Sequence, residues 1–197
     1  IYFRPEYGYS SLDYKLFRDK EIDEFQSVVL RNSGSDFGIT MFRDAFAQNV
    51  VKNQMDIDYL EYQPTAVFIN GEYWGIMNIR EKISEHYIEN NHKDVDSDSV
   101  NLVGDQNSGL VGSNADYVDM RDFIVENDMS NQNNYEYIKT KMDIDNYIDY
   151  QIAEIYGGNI DWPGGNIKFW RKISPDGLWR WILFDVDQTY NIYEDFG

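Results

Sequence analysis

Apolar and polar positions divide this chain into strand-like runs early, helix-like runs in the middle and a second pair of strand-like runs near the end. Residues 1–24 are aromatic and charged and read as loop with a short strand. Residues 26–31 (Q-S-V-V-L-R) form a β-branched run closed by N-S-G-S-D, which predicts a strand and a turn. Residues 65–79 set Asn70-Gly71 between two apolar runs, and both residues tolerate the positive φ of a tight hairpin. Apolar residues at Met41, Phe42, Ala45, Phe46 and Val50 keep helical spacing, so a helix is expected over 41–52 with Thr40 as its N-cap.

After the hairpin, the second strand runs into Arg80-Glu81. A short helix is expected over 83–90, with Glu81 at its start, and one strand over 99–103 in the polar stretch 91–114. Helices are expected over 115–126 and 135–142. Asp143 caps a further helix whose apolar positions Ile144, Tyr147, Ile148, Ile152, Ile155 and Tyr156 follow the i, i+3, i+4 pattern. That helix stops at Gly157-Gly158, where a glycine C-cap belongs. Strands over 167–173 and 178–184 follow, joined by a Pro175-Asp176-Gly177 turn. This order is an α+β mixture without the βαβ alternation of a parallel sheet.

Composition narrows the classes. The 197 residues suit a single domain with a real core, and 42% hydrophobic with 16% aromatic content excludes a disordered chain. A net charge of −18 argues against a nucleic-acid partner and against an anionic membrane surface, because both reward Lys and Arg. No run approaches a membrane span, no signal peptide is visible, and the absence of Cys excludes thiolate metal sites. The chain starts mid-pattern without an initiator Met and reads as an excised piece.

Candidate chemistry concentrates at 155–190. Asp161 and Asn166 share a loop rich in Gly and Pro, and the last strand ends in Asp185-Val186-Asp187. Three carboxylates and an amide held by one hairpin fit a cation that takes a few hard oxygen ligands and keeps its waters. An Asp, an Asn five residues later and a further Asp after a hairpin is also the order of catalytic and metal-binding groups in protein kinases. The spacing alone does not decide, since it recurs at Asp44/Asn49, Asp96/Asn101, Asp122/Asn127 and Asp128/Asn133. Context separates Asp161/Asn166 from these: a helix end precedes it and an apolar strand ending in acid follows. Turn chemistry is the plain alternative for Asp161 and Asn166, and for Asp36 in N-S-G-S-D. Trp162, Trp170, Trp179 and Trp181 are read as core, and His86 and His92 as surface. No phosphate-cradling G-x-x-x-x-G-K-[ST] is present.

Six segments together resemble the CotH kinase family: L-R-N-S-G-S-D (30–36), F-R-D-A (42–45), V-F-I-N-G-E-Y-W-G-I-M-N-I-R-E-K-I (67–83), D-I-D-N-Y-I-D-Y (143–150), N-I-D-W-P-G-G-N (159–166) and W-I-L-F-D-V-D (181–187). The resemblance runs from about Phe25 to Tyr190. It implies an atypical, secretory protein-kinase-like domain over residues 1–197, located outside the cell or at its surface, that moves the γ-phosphoryl of ATP onto protein hydroxyls with Mg²⁺ or Mn²⁺. On that basis Asp161 resembles the catalytic-loop Asp, and Asn166 and Asp185 the metal ligands. Asp187 is a second ligand or a structural acceptor. Glu81 resembles the acid that partners a phosphate-binding cation, with stabilisation of a helix N-terminus as the plain alternative. Arg31 and Arg80 are further phosphate contacts or solvated surface.

Two departures from ordinary kinases stand out: a long interval from Asn166 to Asp185, and Val186-Asp187 where they carry Phe-Gly. The phosphate-binding Lys is not recognisable before Phe25, so it is expected in a segment cut off at the N-terminus, leaving Glu81 solvated or paired with Arg31 or Arg80. Two rival classes remain: a metal-dependent glycosyltransferase using Asp185 and Asp187, and a non-catalytic Ca²⁺-binding surface module.

Overall fold

The structure is a computed structural model and describes residues 1–105 and 108–190. In chain order its elements are β1 (Leu12–Asp13), β2 (Glu24–Phe25), β3 (Val28–Arg31), α1 (Arg43–Val51), β4 (Asp58–Tyr59), β5 (Tyr62–Ile69) and β6 (Glu72–Glu81). Then follow α2 (Glu85–Asn91), β7 (Val100–Val103), β8 (Gly109–Val111), α3 (Ala115–Glu126), α4 (Gln132–Lys139), α5 (Ile144–Gly157), β9 (Lys168–Lys172) and β10 (Arg180–Leu183). The chain is mixed α+β.

Two sheets organise it. A three-stranded antiparallel sheet has the order β3-β6-β5, and a five-stranded sheet has the order β4-β10-β9-β7-β8. Asn70 and Gly71 both take positive φ, 52° and 86°, so the β5–β6 hairpin turns where the sequence places it. In the larger sheet β9 pairs antiparallel with both β7 and β10, while β4 adds to β10 in parallel. That parallel pair makes the sheet mixed.

The main core lies between the larger sheet and helices α3, α4 and α5, around Phe169, Trp179, Trp181, Leu183, Met120 and Tyr150. Trp170, Trp179 and Trp181 are buried, and Trp162 packs on the core edge. A second cluster joins α2 to the sheet through Tyr87, Ile88, Leu102, Trp170 and Ile182.

Several local expectations are corrected. Helix α1 starts at Arg43 and Thr40 does not cap it; the Asp36 carboxylate accepts from the Arg43 and Thr40 backbone N–H groups (3.0 and 3.2 Å) and from the Thr40 hydroxyl. Asp36 is a turn residue as read, and is buried besides. Glu81 ends strand β6 and does not open a helix, because α2 begins at Glu85 under the Ser84 cap. Helix α4 runs from Gln132 to Lys139 rather than 135–142; Asn131 caps it, and Met142 is instead bridged to Trp179.

Helix α5 has the expected bounds, and Ile144 and Tyr147 pack against the core as expected, but the rest of the expected face points outward. Asn146, Tyr150, Glu154 and Gly157 are buried, whereas Ile148, Ile152, Ile155 and Tyr156 are exposed. Asn146 can be inside because its amide is satisfied there: it donates to Asp56 O (2.9 Å) and accepts from the Trp181 N–H (2.6 Å). His92 is not a surface residue either. Its Nε2 meets Asp58 Oδ1 at 2.8 Å, and its ring packs against Trp170.

Candidate functional site

The end of β10 and the end of β6 open onto one cleft of about 350 Å³. Val29, Leu60, Ile83 and Phe184 give it an apolar lining, and Arg31, Arg80, Glu81, Lys82, Lys168 and Asp185 bring charge to it. An apolar bed beside convergent charged groups, cations above all, suits a small anionic molecule with an apolar part.

Asp185 follows β10 in the left-handed region (φ 54°), and Asn166 precedes β9 in the same region (φ 60°). Asn and Asp tolerate that conformation better than other residues with a Cβ. The two turns bring the segments together, so the Asn166 Nδ2 donates to Asp185 O at 3.3 Å. Arg31, from the end of β3, spans both acids: its Nη2 donates to Asp185 Oδ1 and, at 2.7 Å, to Asp187 Oδ2. Asp187 also accepts from the Ser35 N–H at 2.9 Å, and a Cβ at Gly34 would overlap its carboxylate, so glycine is required for this approach. Burial pushes the Asp187 carboxyl upward, with the Ser35 and Arg31 hydrogen bonds opposing. Burial alone would lower the Arg31 pKa; Asp44, Asp185 and Asp187 outweigh it and raise it.

Glu81 is 3% exposed and its partner is Lys20, whose Nζ donates to Glu81 Oε2 at 2.6 Å. The expected pairing of Glu81 with Arg31, Arg80 or solvent is therefore corrected. Lys20 also donates to Asn91 Oδ1 (2.6 Å) and lies 4.7 Å from the Tyr59 ring centroid. Its remaining contact, to Tyr59 O at 3.5 Å, is the longest of its three. Sequence reasoning missed Lys20 because its partner is 61 residues away and no local pattern links them.

Arg80 is not a solvated surface residue. It is 2% exposed and held by the Asp44 carboxylate, Glu61 O (3.2 Å) and Leu60 O (3.0 Å). Asp44 also accepts from the Val186 N–H at 3.0 Å and from Gln48 at 3.0 Å, so it ties α1 and β6 to the Asp185–Asp187 segment. Burial would raise the Asp44 pKa; Arg80, Arg31 and these hydrogen bonds outweigh it and lower it. Lys168 on β9 stacks its Nζ 4.1 Å from the Phe184 ring centroid, and its pKa is lowered chiefly by burial. Asp44 lies in the F-R-D-A segment of the family resemblance but had no role assigned to it, and Lys168 carried no sequence signal of its own.

Asp161 stands apart from the cleft lining, exposed on the loop between α5 and β9. Its carbonyl accepts from the Gly165 N–H (3.0 Å) and its own N–H donates to Asn159 Oδ1 (3.3 Å), which fixes the backbone one residue before Asn166. Arg31, Arg80, Glu81 and Asp185 thus line one cleft, Asn166 and Asp187 adjoin it through their bonds to Asp185 O and Arg31, and Asp161 lies on the loop that carries Asn166. Among the described residues no three His, Cys, Asp or Glu side chains converge as a metal cluster. The oxygens of Asp185, Asp187 and Asn166 nonetheless suit Mg²⁺ or Mn²⁺, which take one or two carboxylates and leave the remaining positions to water or substrate phosphate.

Fold and site together define a mixed α+β protein with a cation-rimmed, small-molecule-sized cleft. The family model described as CotH kinase protein matches residues 7–196, and the chain belongs to that family. Membership suggests a protein-kinase-like, phosphotransferase function. A search of curated proteins finds no match. Among the described residues no helix is long and apolar enough to cross a membrane.

Proposed function

We propose that the chain is an atypical protein kinase, transferring the γ-phosphoryl of ATP to a hydroxyl of a protein substrate outside the cell or at its surface. The observation that carries this reading is the Lys20–Glu81 ion pair, whose Glu81 lines the cleft that also holds Asp185. A Lys–Glu pair that orients nucleotide phosphates and an Asp that binds the metal are the two elements a kinase must assemble. In this reading the N-terminal segment supplies the phosphate-orienting Lys from within the chain.

Val29, Leu60, Ile83 and Phe184 would receive the base. Asn166 and Asp185 would hold Mg²⁺ or Mn²⁺, with Asp187 as second ligand or as the anchor of Arg31. The metal supplies neutralisation of phosphate charge. Arg31 neutralises Asp185 and Asp187 before ligands arrive and is free to turn toward phosphate once its acids have another cation. Arg80, enclosed by Asp44 and two carbonyls, shapes the cleft wall and adds field rather than a direct contact. Lys20 keeps Glu81 and exchanges its long Tyr59 contact for a phosphate oxygen. Asp161 orients the acceptor hydroxyl and takes its proton as the oxygen attacks the γ-phosphorus and the bond to the β-phosphate oxygen breaks.

The test is transfer of label from γ-labelled ATP to protein with Mn²⁺, for the chain and for Asp161→Asn. Transfer that falls at least about 100-fold in the variant with unchanged ATP binding supports the reading, since general-base removal typically costs that much. Equal transfer by both proteins would reject Asp161 as the base.

A further inference from the structure

Beneath the Asp161 loop lies a carboxyl to which phosphoryl transfer assigns no task. Glu154, in the last turn of α5, is 0% exposed, and it is buried with Tyr150 (1%) and Asn159 (6%), the Tyr150 ring meeting Trp162 edge to face. The Asn159 Nδ2 donates to Glu154 Oε2 at 2.8 Å, and the Asn159 backbone N–H donates to Glu154 O at 3.2 Å. On its other side Asn159 Oδ1 accepts the Asp161 N–H at 3.3 Å.

The amide of Asn159 therefore has a donor end and an acceptor end with fixed partners. A flipped amide would face Asp161 with N–H against N–H, losing that bond whatever the protonation of Glu154, and would face an ionised Glu154 with oxygen against oxygen. An acceptor at position 154 takes the donor end of this amide and so holds its oxygen toward the Asp161 N–H. We propose that Glu154 is a positioning residue for the Asp161 loop, acting through the Asn159 side chain.

Burial pushes this carboxyl up to about 7, and Oε2 accepts from Asn159 in either protonation state. Glu154 Oε1, the Tyr150 hydroxyl and Trp162 Nε1 are all buried without a hydrogen-bond partner of good geometry, although each bears on the ionisation of its neighbour. A buried acid with one oxygen committed to the loop and the other facing Tyr150 is costly as mere packing, because an apolar side chain would fill the volume without the desolvation.

The inference rests on the kinase reading only for the role of Asp161, and its test separates the two. Amide hydrogen exchange across 159–166 is compared in the chain, Glu154→Gln and Glu154→Leu, with exchange over the first two turns of α5 as control. Gln keeps an acceptor for Asn159 and should retain the protection of the Asp161 amide. Leu should speed its exchange at least about tenfold, the loss of one such hydrogen bond, while the control turns stay protected. Asn159→Ala removes the same bridge and should match Glu154→Leu, which keeps the test valid should the Glu154→Leu substitution impair folding. Wherever the chain transfers phosphate, Glu154→Leu should lower kcat at least about tenfold with KM for ATP little changed, the mark of a group that acts on transition-state geometry.

Unchanged exchange at Asp161 in both Glu154→Leu and Asn159→Ala would overturn the inference. So would exchange raised equally along all of α5, or an unchanged kcat in an active protein. Faster loop exchange in a chain that transfers no phosphate would leave the positioning role standing and remove the kinase reading.

Discussion

Glu154 also makes stability depend on pH in an unusual direction. No charged side chain among the described residues pairs with it; Tyr150 from its own helix and Asn159 from the following loop are the groups that face it. Its carboxyl is raised from 4.5 to about 7 in the fold, so folding favours the neutral acid. That contribution is full below the unfolded value of 4.5 and is lost as pH rises through about 7. Asp36 and Asp44 behave oppositely: their hydrogen bonds and neighbouring cations hold them down, and their contribution is lost as pH falls. Denaturant titrations of the chain and Glu154→Gln isolate the one term. The difference between them should change by on the order of 1–3 kcal/mol between about pH 5 and about pH 8, with the wild type losing ground at the higher pH. A constant difference would show that Glu154 ionises in the fold as it does in the unfolded chain.

Among the elements, the N-terminus of α1 depends on one carboxylate. Asp36 accepts from two backbone N–H groups and the Thr40 hydroxyl, and lies 3.4 Å from the Arg43 guanidinium. Asp36→Ala strands those donors in a site that is 1% exposed. The expected loss is about 2–4 kcal/mol by chemical denaturation, above the ordinary value for an exposed cap because the carboxylate and its Arg43 partner are buried. A loss under about 0.5 kcal/mol would mean that water replaces the carboxylate freely.

What the sequence disclosed at this level was local chemistry. The Asn70-Gly71 turn, the bounds of α3, the Asp143 cap and the Gly158 C-cap (φ 61°) are all set by a few adjacent residues and were legible. The buried face of α5 was not, because the Ile and Tyr positions also satisfy a helical period, and the deciding partners of Asn146 and Glu154 come from elsewhere in the chain. The cap of α1 was misread for a related reason: Asp36 reaches forward seven residues to Arg43, farther than an ordinary N-cap.

At the scale of the molecule, the candidate site is assembled by contacts no window of sequence contains. Asp161, Asn166 and Asp185 could be named from their order around one hairpin and from a family resemblance. Lys20 with Glu81, and Arg31 with Asp185 and Asp187, join residues 61, 154 and 156 positions apart. Such ion pairs leave no periodic or motif trace. The charge of −18 adds a further constraint, since an anionic nucleotide can approach only where cations are concentrated. Arg31, Lys82 and Lys168 at the cleft meet it locally, and a divalent metal on Asp185 would complete the neutralisation.

That last step is the one most directly measurable. Calorimetric titration of Mn²⁺–ATP into the chain, Asp185→Asn and Asp176→Asn compares the candidate ligand with an exposed carboxylate in the β9–β10 turn. Asp185→Asn should weaken binding at least about tenfold, about 1.4 kcal/mol, because an amide keeps the shape of the ligand but not its charge. Asp176→Asn should bind as the unaltered chain does. Equal affinity in all three proteins would contradict a metal–nucleotide site at Asp185.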